Sequence, residues 1–109
     1  MKKIIVLLLL LTVSVAQAQK NQKALELTEK LSKVMEFDED QSAKLLELIL
    51  DRNNKKRALR KEYADDKDTF KVKAKEVEKG YNKDLRVLAG IEKFKLLVVY
   101  RKAKRAANN

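Results

Sequence analysis

Residues 37–48 read FDEDQSAKLLEL, which places three acids and a glutamine directly before a leucine-rich run. If Asp38 is the N-cap of a helix, its carboxylate accepts a hydrogen bond from the backbone N–H of Gln41. The Gln41 side chain then accepts one from the N–H of Asp38, which completes a capping box. Glu39 and Asp40 fall in the first turn, where the helix dipole favours negative charge. A calcium loop is the alternative, but the stretch lacks the later oxygen ligands and the glycine of an EF-hand.

The residues on both sides of this helix start also favour helices. The 109-residue chain has two glycines and no proline, and Ala, Leu, Glu, Lys and Arg are abundant. Apolar residues at helical spacing predict a first helix over residues 22–35, and the capping box opens a second over 39–64. We therefore expect an all-α protein.

The segment YADDKDTF, residues 63–70, predicts the next change of direction. Asp65, Asp66 and Asp68 each suit a helix start, so we expect a hairpin between the second and third helices. One long bent helix is the alternative, because neither glycine nor proline marks a turn. The third helix has an uninterrupted apolar stripe formed by Phe70, Ala74, Val77, Tyr81, Leu85 and Leu88.

Gly90 marks the predicted boundary between the third helix and a fourth over residues 91–106. The fourth helix is apolar on two sides. One side has Ile91, Phe94 and Val98, and the other has Leu96, Val99, Tyr100 and Ala103. One side can pack within the protomer, and the other would be exposed in a monomer. That exposed side predicts contact with a second subunit or with a client protein.

The N-terminus has the features of an export signal. Lys2 and Lys3 precede an unbroken apolar run over residues 4–11, and Ala16-Gln17-Ala18 forms a small-x-small cleavage site. An uncleaved membrane anchor is the alternative, but the run is shorter than the roughly 20 residues of a spanning helix. We predict a cleaved signal peptide over 1–18 and one exported, soluble helical domain over 19–109.

Size and composition predict self-association. Removal of Lys2 and Lys3 with the signal leaves 24 basic and 16 acidic residues, a net charge of +8. Small domains bury little surface and often need a disulfide, a metal or a partner subunit. The chain has neither cysteine nor histidine. Their absence excludes disulfides and removes the usual ligands of a structural zinc site. We therefore expect a homodimer.

The second helix carries an unusual concentration of cations. RNNKKRALRK, residues 52–61, has six basic residues in ten positions. In helical projection, Arg52 and Lys56 interrupt an apolar stripe. The apolar members of that stripe are Leu45, Leu48, Ile49, Leu59 and Tyr63. The stripe is either a solvated face whose cations extend their charged ends outward, or an open surface that binds another molecule.

Two copies of one pattern connect the chain with a known family. Residues 37–41 read apolar–cap–x–x–Gln, and LAGIE, residues 88–92, repeats the pattern in weaker form about fifty residues later. In an exported, basic, helical chain this pair resembles the LTxxQ-motif (Spy/CpxP-like) family of periplasmic stress proteins. Phe37 stands for Leu, Asp38 for Thr, and Gln41 matches.

The second copy departs further from the family pattern. Leu88 matches, while Ala89 replaces Thr and Glu92 replaces Gln. Since alanine has no side-chain acceptor, this copy keeps at most half of the capping chemistry.

The resemblance implies a thin four-helix protomer that dimerises into a cradle in the periplasm. It also implies a chaperone without ATP, which holds unfolding or aggregating proteins on a basic, partly apolar concave surface. Our helical projection, not the family, assigns client binding to Leu45, Ile49, Arg52, Lys56 and Tyr63. Two alternatives remain: a regulator that binds an envelope stress sensor domain, and a basic amphipathic protein that binds anionic membrane surfaces.

Other classes of function find less support in the residues. Acid–base chemistry most often uses histidine, and nucleophilic chemistry needs an activated hydroxyl, thiol or amine beside a base. The predicted mature region has no His, Cys or glycine-rich phosphate loop. We predict no enzyme, no cofactor and no metal. Dense Lys and Arg bind nucleic acid without specificity, and export argues against that partner.

Overall fold

The computed structural model describes residues 15–108, and it describes side-chain environments from residue 21 onward. Three helices occupy this range: α1 (Val15–Met35), α2 (Glu39–Glu62) and α3 (Lys67–Asn108). No strand is present among these residues, so the all-α prediction is confirmed for them. Most of the predicted signal peptide, residues 1–14, lies outside the described residues, and α1 already passes through the predicted cleavage site.

A short connection joins α1 to α2. Glu36 adopts a left-handed conformation with φ 58°. The N–H of Phe37 donates to the carbonyl of Ser32 at 2.9 Å, and the N–H of Glu36 donates to that of Lys33 at 3.4 Å. This is the Schellman pattern that ends a helix, here with a glutamate at the position where glycine is commonest. Asp38 then begins α2 at once.

The connection between α2 and α3 is the hairpin that the acidic segment predicts. The Tyr63 N–H donates to the carbonyl of Leu59, and α2 ends at Glu62 rather than at the expected residue 64. Asp66 is the acid that caps α3: it accepts from the Thr69 N–H at 3.1 Å and from the Thr69 hydroxyl at 2.6 Å. These bonds to the carboxylate lower the pKa of Asp66, with the bond from the hydroxyl contributing most.

Residues 15–108 form three helices, whereas the sequence predicts four between residues 22 and 106. Residues 67–108 form one helix that bends at Gly90, whose φ of 79° and ψ of 165° are not helical. Glycine accepts this conformation because it has no Cβ to clash with the neighbouring carbonyl groups. Helical structure resumes directly after Gly90, so the residues that the sequence assigns to a fourth helix form the second half of α3.

All three helices contribute to one core, and the helices contact each other pairwise. The buried apolar side chains are Ala24, Leu31 and Met35 of α1, Leu45 and Ile49 of α2, and Tyr81, Leu85, Ala89 and Leu97 of α3. Burial of each leucine or isoleucine contributes roughly 1.5–3 kcal/mol relative to exposure. Because Leu97 follows the bend at Gly90, the bend is what allows the second half of α3 to reach the core.

Candidate functional site

Gln41 joins the two copies of the sequence pattern. The capping box is present: Asp38 Oδ1 accepts from the Gln41 N–H at 2.8 Å, and Gln41 Oε1 accepts from the Asp38 N–H at 3.3 Å. Gln41 Nε2 also donates to the Leu88 carbonyl at 3.2 Å, and Lys93 Nζ donates to Gln41 Oε1 at 2.8 Å. The bond to Leu88 satisfies a carbonyl beside the bend, where the helical ladder is interrupted.

The other residues of the two sequence patterns have different structural roles. Phe37 is half-buried against the core, with Lys93 Nζ 5.7 Å from its ring centre, and Leu88 packs beside the same core. Glu92 is exposed. The first pattern and the residues around the second therefore meet in space, but Glu92 does not repeat the role of Gln41, because a capping box needs a side-chain acceptor where Ala89 stands.

Arg52 and Lys56 connect α2 to α3 through Glu78. Lys56 Nζ pairs with Glu78 Oε1, and Arg52 Nη1 lies 3.9 Å from the same oxygen. The Arg52 guanidinium also stacks over the Tyr81 ring, 4.5 Å from its centre. Partly exposed pairs of this kind contribute about 0.2–1 kcal/mol each. Both cations hold the hairpin together, and neither is the freely presented group that the client-binding hypothesis assigns to it.

Two other residues of that hypothesis belong to the core. Leu45 and Ile49 have no exposed surface, because α1 and α3 cover the face of α2 that carries them. Neither side chain is therefore exposed for direct contact with a client in this structure. Tyr63, the fifth residue, follows the last turn of α2 and is half-buried.

A groove with mixed charge lies between α2 and α3 and has a volume of about 360 Å³. Its apolar lining comprises Leu48, Leu59, Val77 and Tyr81, and its charged lining comprises Asp51, Arg52, Lys55, Lys73, Glu76 and Asp84. Three cations face three acids, so the lining has no net charge. We call this cleft the mixed groove.

A second groove lies on the other side of α3 and also has a volume of about 360 Å³. Its lining residues are Lys56, Phe70, Lys71, Val72, Ala74, Lys75 and Glu78. Three lysines outweigh one glutamate, and the Val72 side chain is 59% exposed between two of these lysines. We call this cleft the basic groove; apolar side chains flanked by cations are the features that the sequence predicts for a client surface.

The second half of α3 presents only part of the predicted second apolar side to solvent. Leu96, Val99 and Ala103 are exposed, but Tyr100 turns back and packs against the core. Leu97, which belongs to neither of the two predicted apolar sides, is fully buried, whereas Ile91 is 70% exposed. The sequence identifies apolar residues on two sides of this helix but not which side packs on the core, so it does not predict that Leu97 is buried and Ile91 exposed.

Tyr81 is a buried polar group that the sequence places only in an apolar stripe. Its side chain is 5% exposed, and its hydroxyl finds no hydrogen-bond partner within the described part of the chain. Burial raises the pKa of Tyr81 because it disfavours the phenolate, and the nearby Arg52 and Arg101 guanidinium groups partly oppose that rise.

The sequence analysis does not identify several residues that position these surfaces. Glu78 and Lys93 make the bridging contacts described above, and Ser42 donates to Ser32 at 2.8 Å across α1 and α2. The sequence does contain a pattern that places Glu78 near the hairpin contact. Glu78 lies beside the apolar stripe of α3, three residues before Tyr81 and therefore on the same side of the helix. Lys93 gives no comparable signal, since its role depends on the bend.

Residues 15–108 contain no helix that is long and apolar enough to cross a membrane. In the same range, no group of three or more acidic side chains is arranged to hold a metal ion.

Comparison of the chain with protein-family models, with curated proteins and with solved structures finds no match in any of the three. The resemblance to the LTxxQ family therefore stays a prediction that depends on residues 37–41 and 88–92. Residues 15–108 form a small helical fold with one cation-flanked apolar groove and one groove of balanced charge along the helical hairpin.

Proposed function

We propose that the protein holds unfolding proteins in the basic groove without ATP, as an exported chaperone-type binding protein. The observation that carries this proposal is the partly exposed Val72 between Lys71 and Lys75, next to the half-buried ring of Phe70. Unfolding proteins expose apolar segments, and the groove offers apolar surface with which such segments can remove area from water.

Charge gives the groove a preference among clients. Lysines around an apolar floor attract acidic segments over a distance of about 10 Å at moderate salt, which raises the rate of encounter. Short-range apolar contact then retains the segment. The groove stays open because Lys56 and Glu78 pair with each other and hold α2 beside α3 without covering Val72.

The finer form of the fold belongs to the same proposal. The two halves of α3 count as the third and fourth helices of a protomer, and two protomers form a homodimeric cradle. Small size and the absence of cysteine support self-association. The mass of the purified protein in solution tests this part, and a monomer at all concentrations contradicts it without affecting the basic groove.

The decisive experiment dilutes a denatured acidic client into buffer without ATP and follows its light scattering. Val72→Ser changes an exposed apolar side chain while keeping a similar helix propensity. Loss of about 1 kcal/mol of apolar contact raises the concentration needed for half-suppression about fivefold. Val87→Ser is the matched control, because Val87 is 79% exposed on the same helix but lines neither groove.

The charge contribution has its own matched pair. Lys71→Gln with Lys75→Gln removes two lysines from the basic groove, and Lys79→Gln with Lys83→Gln removes two exposed lysines that line neither groove. We expect the first pair to weaken suppression at low salt and the second to leave it unchanged. Equal effects of the two pairs, or no suppression by the unaltered protein, would refute the proposal.

A further inference from the structure

The positive charge of the chain is concentrated at its C-terminal end. Residues 19–92 carry 18 basic and 16 acidic side chains, which nearly cancel. Residues 93–108 carry six cations and no acid. Six of the eight net charges of the predicted mature protein therefore lie in the second half of α3.

Apolar side chains are exposed on the same half-helix. Ile91 is 70% exposed, Val99 66% and Leu96 38%, whereas Leu97 on the opposite side is fully buried. At 100° per residue, Lys95 and Lys102 project between Ile91 and Val99. We call this surface the terminal face: Ile91, Lys95, Leu96, Val99, Lys102 and Ala103. Glu92, at its start, is the only acid in this sector.

None of the six cations of this half-helix belongs to an ion pair within the described residues, and of the six Lys93 alone is occupied by a hydrogen bond, to Gln41. The ion pairs found in the described part of the chain join Arg52 and Lys56 to Glu78, and Lys55 to Asp51. At the end of α3, Arg101, Lys104 and Arg105 gather with Asn108 around a shallow cleft of about 240 Å³. The partner that complements this surface is therefore anionic.

A second copy of the chain is a poor occupant of the terminal face. In a two-fold symmetric dimer the same patch meets itself, so Lys95 and Lys102 would face the same two lysines of the second copy, with Glu92 as the only acid in the sector to pair them. An acidic folded protein is also a weaker fit, because lysine is depleted from the cores of protein interfaces. Here Lys95 and Lys102 lie within the apolar sector.

A lipid surface can accommodate both the exposed apolar side chains and the lysines that lie between them. In an interfacial helix the apolar side chains enter the boundary of the acyl chains, while long lysine side chains extend their ammonium groups to the phosphates above. We propose that the terminal face binds an anionic phospholipid surface, with the second half of α3 lying in the plane of the interface. Leu97, Phe94 and Tyr100 keep this half-helix packed on the core, so binding requires no unfolding.

Lipid attachment is a separate property from client holding, since it uses residues beyond the bend while the basic groove uses residues 56–78. The test is co-flotation with vesicles of phosphatidylcholine alone and of phosphatidylcholine mixed with phosphatidylglycerol. The protein is expressed from the full 109-residue sequence, and its N-terminus is read by intact mass. A retained leader would itself favour anionic vesicles through Lys2 and Lys3, so the comparison between variants, which all share the same N-terminus, carries the result.

Two pairs of variants separate the terminal face from net charge and from general hydrophobicity. We expect Lys95→Gln with Lys102→Gln to weaken binding to the anionic vesicles about thirtyfold at low salt. The pair Lys79→Gln with Lys83→Gln removes the same charge elsewhere and should leave binding nearly unchanged. Val99→Ser should weaken binding severalfold, whereas Val72→Ser should leave vesicle binding intact and weaken only client suppression.

Four outcomes would overturn the lipid proposal. Equal binding to both vesicle types would show that lipid charge has no role. Equal losses in the two lysine pairs would show that binding depends on the net charge of the protein and not on the terminal face. Binding to soluble polyglutamate without binding to vesicles identifies an acidic polypeptide as the partner. Self-association that Val99→Ser abolishes, without vesicle binding, assigns the face to a second copy. Circular dichroism of each variant confirms that the helices are retained.

Discussion

Replacement of the two glycines by alanine should change stability in opposite directions. Gly90 has φ 79° and ψ 165°, a region that is essentially restricted to glycine and costs other residues about 1–3 kcal/mol. A Cβ added at Gly90 would meet no atom within 4 Å, so the cost comes from the backbone alone. We expect Gly90→Ala to lower the free energy of unfolding by about 2 kcal/mol.

The backbone can avoid this strain by straightening α3, but straightening is also unfavourable. Straightening α3 into a regular helix would relieve the introduced alanine of its unfavourable dihedral angles and withdraw the fully buried Leu97 from the core. Removal of a buried leucine side chain costs about 2–5 kcal/mol. The loss in Gly90→Ala is therefore expected to be about 2 kcal/mol if the bend persists, and at least as large if the bend opens.

Gly80→Ala is the matched control for the same change in composition. Gly80 lies inside regular α3 helix, and a Cβ added there also has open space around it. Alanine is favoured over glycine in a helix interior by about 0.8–1 kcal/mol. This variant should therefore be more stable than the unaltered protein.

Urea unfolding followed by circular dichroism measures both effects, with heating as a second probe. For a domain of this size, each kcal/mol shifts the midpoint of thermal unfolding by about 4–8 °C. Gly90→Ala should lower the midpoint by roughly 10 °C, and Gly80→Ala should raise it by roughly 5 °C. If Gly90→Ala is as stable as the unaltered protein, or if both variants gain stability, the bend at Gly90 does not exist in solution.

Two further predictions concern buried or bridging polar groups. Gln41→Leu keeps the volume of the side chain and removes its hydrogen bonds to Asp38, Leu88 and Lys93. We expect the free energy of unfolding, measured in urea, to fall by about 2 kcal/mol. A loss below about 0.5 kcal/mol would show that these bonds contribute little to stability. Tyr81→Phe removes a buried hydroxyl without a partner in the described residues, so stability at neutral pH should be unchanged or higher by about 1 kcal/mol. Because burial raises the pKa of Tyr81, the unfolded chain ionises first as the pH rises above about 10. The unaltered protein should then lose more stability than Tyr81→Phe between about pH 10 and the raised folded-state pKa, and parallel curves for the two proteins contradict this.

Short-range signals explain which parts of the fold the sequence predicts. The Asp38–Gln41 box spans three residues, and Asp66 caps α3 through Thr69, also three residues away. Such bonds depend on the local chain alone, so the residue types at these spacings identify a helix start. Gly90 is recognisable for the same reason, since a bend with positive φ favours glycine.

The candidate surfaces required the tertiary structure. The sequence identifies a strongly basic α2 with apolar residues among its cations, but it does not show that Leu45 and Ile49 are covered. Nor does it show that Arg52 and Lys56 share Glu78 across the hairpin. The basic groove contains Lys56, yet most of its lining comes from α3, which the projection of α2 cannot include.

The amino-acid sequence by itself determined the helical class, the Asp38 cap and a break at Gly90, and it favoured the hairpin while leaving three acids as candidates for its cap, because each of these features depends on interactions within a few residues. Only the tertiary structure decided which face of each helix is buried and which cations pair across the hairpin. Those outcomes depend on how α1, α2 and α3 pack and on the helical phase after Gly90. Periodicity within one helix contains no information about the rotation of its neighbours, so the exposed parts of the two proposed binding surfaces emerge only when the three helices are assembled.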